Sequence, residues 1–199
     1  MDYIIKHITT EKEINNAIEF SRKIFGEDYT GLGSREYQKE NMIKNMKANN
    51  DILLFAEANS KVVGMVFASI GEDNNMILDI VAVDKQLQGH GIASKMISMI
   101  EKRAKAKGIT LIACGAVQEA EEFYSKLGFT GSLLIQSEKH SIEELLSLNT
   151  TYKVNYTRVH DETINQVNLA LTEPDRDLQQ KYETTLKGCY TQMMFWKNL

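Results

Sequence analysis

The chain has 199 residues, of which 43% are hydrophobic and 25% are charged, a composition typical of a folded globular protein rather than a disordered one. Its formal net charge of -4 argues against a nucleic-acid partner, which would need a basic face to neutralise backbone phosphates. The two cysteines, Cys114 and Cys189, lack the spacing of a disulfide framework or a metal site, so we expect reduced thiols in the core. The chain shows neither a signal-peptide pattern nor an apolar run of membrane-spanning length, so we expect a soluble cytoplasmic protein with no membrane partner.

The first fifty residues predict a strand, two helices and a loop. A short strand is expected at 3–8, and Thr9 or Thr10 then caps a helix whose apolar residues recur at helical spacing. The polar segment 27–34 contains two glycines, which predicts a loop. A second helix over 34–47 has a thin apolar face, so it is either one wall of a substrate pocket or a surface helix.

The middle of the chain alternates between strand and turn signals. Segments 51–58 and 61–70 are joined by Asn59-Ser60, which predicts a tight hairpin. Residues 71–75 form another turn before a strand at 76–83. Three antiparallel strands are therefore expected to lead into the segment that follows.

A glycine-containing turn comes next, with the sequence Gln88-Gly89-His90-Gly91, and an amphipathic helix begins at Ile92. Glycine permits unusual backbone dihedrals and lets a ligand approach the main chain closely. The start of a helix presents unpaired N–H groups and the positive end of its dipole. This arrangement of strand, turn and helix predicts an anion-binding site for phosphate or pyrophosphate.

The helix after the turn is expected to end at Gly108. A buried strand at 109–115 should then lie parallel to the preceding strand, because a crossover of this length gives parallel pairing. A further helix over 117–127 closes with Gly128-Phe129.

Two motifs in this order carry a resemblance to a known family. Gln88-Gly89-His90-Gly91-Ile92-Ala93 follows a Val-Ala-Val strand, and Ala120-Glu-Glu-Phe-Tyr-Ser-Lys-Leu-Gly-Phe129 begins about thirty residues later. Together with the antiparallel strands upstream, they resemble the GNAT superfamily of acetyl-CoA-dependent N-acetyltransferases over residues 1–137. The resemblance implies an α/β (α+β) fold, with a mixed and mainly antiparallel twisted sheet flanked by helices.

The resemblance also implies a site for acetyl-CoA and none for a metal. The family pattern is Gln or Arg, two residues, Gly, one residue, then Gly or Ala, and Gln88, Gly91 and Ala93 match it. The backbone of the turn would wrap the pyrophosphate, and the last residues of the strand before it would bond the pantetheine arm. Val117 stands where the family commonly has an asparagine, which puts that one contact with CoA in question. The candidate cofactor-binding residues are Val81, Ala82, Val83, Gln88, Gly89, His90, Gly91, Ile92, Ala93, Ser94, Ala120 and Phe123.

The implied chemistry is direct attack of a primary amine on the acetyl thioester in a ternary complex, where positioning supplies much of the rate. In the family the tyrosine at the position of Tyr124 often serves as general acid for the departing thiolate. An aromatic on an amphipathic helix is more often a core residue, and only the family pattern favours the catalytic role. A free amide near Val81 or Ala82 could stabilise the charge that develops on the thioester oxygen. Asp79 and Glu57 are the candidate bases, although each could simply be a solvated strand residue.

Residues 138–199 predict a strand-strand-helix-strand (ββαβ) appendage, which is small for independent folding. A capped short helix is expected from Ser141, and Pro174-Asp175 precedes a longer helix. We expect this segment to pack on the main domain or on a second subunit of a homodimer. It could also complete the acceptor pocket or bind an effector.

Two other functions stay open beside that of an enzyme acting on a small-molecule or peptide amine. One is an acyl-CoA-binding sensor or scaffold that retains the fold without turnover. The other is a nucleotide-binding phosphate loop, which requires Gly-Lys-Ser or Gly-Lys-Thr where this chain has Gly91-Ile-Ala-Ser-Lys95, so it fits poorly.

Overall fold

The computed structural model describes residues 2–27, 29, 32–71 and 73–199, so the predicted loop at 27–34 and the turn at 71–75 lie partly outside the described residues. The chain forms two compact units, one of Met1–Ile112 with Asn198–Leu199 and one of Ala113–Lys197. The strands are β1 (Ile4–His7), β2 (Leu53–Ala58), β3 (Lys61–Ile70), β4 (Met76–Val83), β5 (Leu111–Gly115), β6 (Thr130–Ser137), β7 (Val154–His160), β8 (Ile164–Leu169) and β9 (Cys189–Asn198). The α-helices are α1 (Glu11–Phe25), α2 (Arg35–Asn49), α3 (Ile92–Ala106), α4 (Glu121–Lys126), α5 (Ile142–Ser147) and α6 (Arg176–Thr185).

The first unit is built on an antiparallel sheet in the order β1-β2-β3-β4. Asn59 and Ser60 join β2 to β3 with φ values of 49° and 58°, the left-handed conformation that tight hairpins require. The predicted hairpin and the strand that follows it are therefore confirmed. The predicted parallel direction of β5 stays a prediction.

Local sequence determines where the helices of this unit begin. The Thr10 side chain accepts a hydrogen bond from the Glu13 backbone, and the Glu13 carboxylate accepts one in return from the Thr10 backbone. This capping box fixes the start of α1 at the predicted place. Ser34 caps α2, a helix in which only Gln38 and Met42 are buried, as the thin apolar face indicated.

Helix α3 packs closely on β3 because Gly64 leaves room for it. A Cβ added at Gly64 would lie 3.0 Å from Ile92 Cγ2 and 3.2 Å from Met96 Cε. Gly64 is also the partner of Val83, the last residue of β4. The glycine thus brings the first turn of α3 against the sheet near the position where β4 ends.

The second unit contains an antiparallel sheet in the order β9-β6-β8-β7. Strand β6 pairs along one edge with β8 and along the other with β9, so two strands of the predicted appendage continue the sheet from β6. The Tyr182 hydroxyl of α6 donates a hydrogen bond to the Leu145 carbonyl of α5 at 2.7 Å. The predicted division of the chain at residue 137 stays a prediction.

The structure agrees with the predicted fold class, a mixed and mainly antiparallel sheet flanked by helices. The helix predicted at 117–127 is instead a short 3-10 turn over Gln118–Ala120 followed by α4. Cys114 and Cys189 are free and buried, as expected. None of the helices in the described part of the chain is both long and apolar enough to cross a bilayer.

Candidate active site

The turn after β4 has the backbone geometry of an anion site. Gly89 and Gly91 have φ values of 80° and 76°, a left-handed conformation that side chains rarely adopt. A Cβ added at either glycine would meet no atom within 4 Å, so the main chain here borders open space. Residues 88–91 are all exposed, and a ligand could therefore reach the backbone of the turn.

The start of α3 differs from the starts of the other long helices. Side-chain oxygens of Thr10, Ser34 and Asp175 cap α1, α2 and α6, whereas α3 begins at Gly91 without a side-chain cap. The first turn of α3 also contains no acidic residue. Its N–H groups and the positive end of its dipole are thus left to an external acceptor.

Two polar side chains of the turn hold its backbone together. The Gln88 amide nitrogen donates to the Val83 carbonyl at 3.4 Å, which ties the turn to the end of β4. The His90 Nδ1 lies 3.2 Å from the Leu87 carbonyl and 3.1 Å from the Gln88 carbonyl. Because both neighbours are acceptors, the His90 proton belongs on Nδ1, and the ring supports the turn.

These observations fit the pyrophosphate of CoA. A phosphate group needs several backbone donors, a close approach to the main chain and no competing carboxylate. The uncapped helix, the two left-handed glycines and the absence of acid from the first turn of α3 provide these three conditions. Ile92 is buried with its side chain against Gly64 of β3, so it anchors the helix, while Ala93 and Ser94 are partly exposed and remain accessible.

Asp79 lies at an irregularity in β4. Phe67 pairs with Ile80 and Ala68 pairs with Leu78, so Asp79 is an extra residue without a partner on β3. Bulges of this kind redirect a side chain and often occur beside functional sites. Asp79 remains exposed, yet desolvation by the surrounding protein raises the pKa of its carboxyl to about 6, and a hydrogen bond from the Ser69 side chain opposes that increase.

Glu57 has a different environment from Asp79. Its carboxylate forms an ion pair with the Lys6 ammonium on β1 at 2.9 Å. Glu57 pairs with Val62 on β3, whereas Asp79 lies opposite the step from Phe67 to Ala68. The positions opposite Glu57 and Asp79 are therefore at least five residues apart along β3, which corresponds to roughly 17 Å. The two carboxylates do not share one site.

The second unit holds Tyr124 in an aromatic cluster. Tyr124 is 4% exposed, and its ring stacks on Phe195 with 5.6 Å between ring centroids. Phe123 and Phe129 contact it edge-on, at 5.2 and 5.6 Å. Phe123 itself is only partly buried, as is Ala120 at the start of α4.

The Tyr124 hydroxyl has a sulfur partner that the sequence did not reveal. It hydrogen-bonds the Cys114 thiol, whose pKa burial raises to about 12. Burial likewise raises the pKa of Tyr124 above its ordinary value, so the phenol carries its proton throughout the neutral range. A protonated phenol is the form that a general acid needs.

Several contacts in these two regions were missed by sequence reasoning. They include the hydrogen bond from Ser69 to Asp79, the contact of Cys114 with Tyr124, and the stacking of Phe195 on Tyr124. Each partner is far away in sequence, and no local pattern links them. Among the described residues, no cluster of three histidine, cysteine or acidic side chains is arranged to hold a metal ion.

Solved structures share this fold at low sequence identity. An acetyltransferase of the GNAT family from Staphylococcus aureus Mu50 matches with a TM-score of 0.61 and 18% identity, over 100% of this chain and 99% of that one. PaiA N-acetyltransferase from Thermoplasma acidophilum, solved in complex with coenzyme A, matches with a TM-score of 0.53 and 19% identity, over 86% and 100%. The apo form of a variant agmatine N-acetyltransferase matches with a TM-score of 0.59 and 11% identity over 100% of both chains.

The family assignment comes from the sequence. The family model described as "Acetyltransferase (GNAT) domain" matches residues 25–142, more than half of the chain. That range includes β4, the glycine turn and α3 of the first unit, and α4 of the second. The chain therefore belongs to the GNAT acetyltransferase family and is an acyltransferase.

Proposed function

We propose that this protein transfers the acetyl group of acetyl-CoA to a primary amine by direct attack in a ternary complex. The observation that carries the proposal is the uncapped N-terminus of α3 behind two left-handed glycines, which is suited to a pyrophosphate. The solved PaiA N-acetyltransferase, which shares the fold, contains coenzyme A. Acetyl-CoA would supply an activated thioester.

Val81, Ala82 and Val83 would hold the pantetheine arm by their backbone groups. These residues end β4, with residues 84–87 between them and Gln88, and Ala82 and Val83 are buried small side chains, so main-chain groups are what this segment offers a ligand. A backbone N–H of Val81 or Ala82 would stabilise the negative charge that develops on the thioester oxygen.

Asp79 is the base that we favour over Glu57. An amine acceptor is an ammonium ion near neutral pH and must lose a proton before it attacks. The Asp79 carboxyl, with a pKa of about 6, is ionised at pH 7 and yet is a stronger base than an ordinary aspartate. Glu57 already forms an ion pair with Lys6. Tyr124 would return a proton to the departing thiolate, because its phenol is protonated throughout the neutral range.

The acceptor is a small-molecule or peptide amine. One protein with this fold is an agmatine N-acetyltransferase, which makes a small cationic amine a reasonable first substrate to test. The cytoplasmic location and the homodimer remain predictions.

Incubation with acetyl-CoA and a panel of amines tests the proposal. The panel would contain agmatine, polyamines, amino acids and peptide N-termini. We expect release of the CoA thiol together with a stoichiometric mass gain of one acetyl group on at least one amine. Tight CoA binding without turnover on any amine would instead indicate an acyl-CoA sensor. A larger thermal shift with ATP than with CoA would revive the phosphate-loop alternative.

A further inference from the structure

The C-terminal segment contacts the helix that bears Tyr124 at two independent places. The Arg176 guanidinium on α6 lies 2.5 Å from the Glu121 carboxylate at the start of α4. Phe195 on β9 stacks on the Tyr124 ring at an interplanar angle of 27°. Arg176 and Phe195 both belong to the predicted appendage, and the two residues that they contact lie within one turn of α4.

The ion pair is placed where it can fix the orientation of α4. The Glu121 side chain is only 10% exposed, whereas that of Arg176 is 41% exposed. A second hydrogen bond, from Arg176 to the Gln179 side chain at 2.6 Å, holds the guanidinium on its own helix. A carboxylate that is this well buried needs its partner, because an unpaired buried charge is costly.

Helix α4 needs such external support. It has only six residues, and no side chain caps its start. Isolated helices of this length are not stable in water, so its position depends on tertiary contacts. Glu121 lies three residues before Tyr124, on the same face of the helix, and a shift at Glu121 would therefore move the tyrosine.

We propose that the C-terminal segment positions the Tyr124 hydroxyl for acetyl transfer, through the Arg176–Glu121 ion pair and the stacking of Phe195. Arg176 and Phe195 are then positioning residues, and the segment is part of the catalytic apparatus. The inference rests on the proposed role of Tyr124 as general acid.

The test is a double-mutant cycle between Arg176 and Tyr124. We expect Arg176→Gln to lower kcat about tenfold, because small displacements of a reacting group are costly, and to leave the KM for acetyl-CoA within twofold. Arg176→Lys keeps a cation and should retain most of kcat. In a Tyr124→Phe background, Arg176→Gln should cause no further loss, because it acts through the missing hydroxyl.

A matched control is available on the same helix. Lys126 and Glu122 form an ion pair at 2.8 Å with side chains that are 70% and 80% exposed. Lys126→Gln removes that pair and should leave kcat unchanged. All rates are measured well below the melting temperature of each variant, so that lost stability alone does not lower them.

Two results would overturn the inference while the proposed function stands. One is a kcat of Arg176→Gln within twofold of the wild type. The other is a tenfold loss of kcat from Arg176→Gln in the Tyr124→Phe background as well, which would mean that Arg176 does not act through the Tyr124 hydroxyl. If Tyr124→Phe alone keeps wild-type turnover, the acid role fails and the inference fails with it. Absence of acetyl transfer by the wild type would refute the proposed function itself.

Discussion

Gly91 offers the sharpest perturbation of the glycine turn. Gly91→Val places a β-branched side chain at a φ of 76°, where such residues are genuine outliers. The strain costs about 1–3 kcal/mol. Because a Cβ at this position meets no protein atom within 4 Å, the structure adds no steric clash to that cost. For a chain of this size we expect the melting temperature to fall by about 2–12 °C.

Gly108 provides a control with the same backbone strain. Its φ is 73°, a Cβ there also meets no atom within 4 Å, and it follows the other end of α3. A helix of 15 residues is about 22 Å long, so a side chain at Gly108 cannot reach a ligand at the turn. Gly108→Val should therefore lower stability as much as Gly91→Val does.

Binding of CoA separates the two variants. A valine at Gly91 occupies open space at the start of α3 and keeps phosphate oxygens away from the backbone. We expect its Kd for CoA, measured by titration calorimetry, to rise at least tenfold, a loss of about 1.4 kcal/mol. Gly108→Val should bind CoA as the wild type does. Equal affinities of the two variants would refute the assignment of the turn as the pyrophosphate site.

Three other substitutions test the roles of Asp79, Tyr124 and Gly64. Asp79→Asn should lower kcat/KM, and its pH–rate profile should lack the rise in activity through pH about 6 that the wild type shows. Because desolvation raises the pKa of Asp79, ionisation of this carboxyl lowers the stability of the wild type above that pH. The variant should therefore melt at a higher temperature than the wild type at pH 8 but not at pH 4. Tyr124→Phe should lower turnover by roughly 100-fold while CoA affinity stays within a few-fold, and unchanged turnover would remove the general acid. Gly64→Ala should push against Ile92 and Met96, cost about 1–3 kcal/mol in denaturant unfolding and weaken CoA binding; an unchanged Kd would show that the packing of α3 does not position the turn.

Local signals accounted for most of the fold and for the turn. The capping box of Thr10 and Glu13 joins residues three apart, and the hairpin at Asn59-Ser60 depends on two adjacent residues. The turn likewise depends on the positive φ of Gly91, a conformation that glycine itself permits. Interactions of this range leave a pattern in a short window of sequence, and they could therefore be predicted.

The contacts that surround the candidate catalytic groups could not be predicted in this way. The bulge at Asp79 leaves the alternation of buried residues in β4 undisturbed, so the sequence gives no sign of it. Arg176 and Glu121 are 55 residues apart, and only the folded chain brings them together. The sequence could nominate Asp79 and Tyr124, but it could not indicate which distant groups tune the pKa or fix the position of each.

A crystal structure with bound CoA would show which backbone segment of this protein holds which part of the cofactor. The quantities to measure are the distances from the pyrophosphate oxygens to the backbone nitrogens of residues 88–94. We expect several of these distances to be within about 3.2 Å, and the pantetheine to be hydrogen-bonded to the backbone of residues 81–83. A pyrophosphate bound away from the turn, with the N–H groups of α3 unpaired, would contradict the assignment of the turn as the pyrophosphate site.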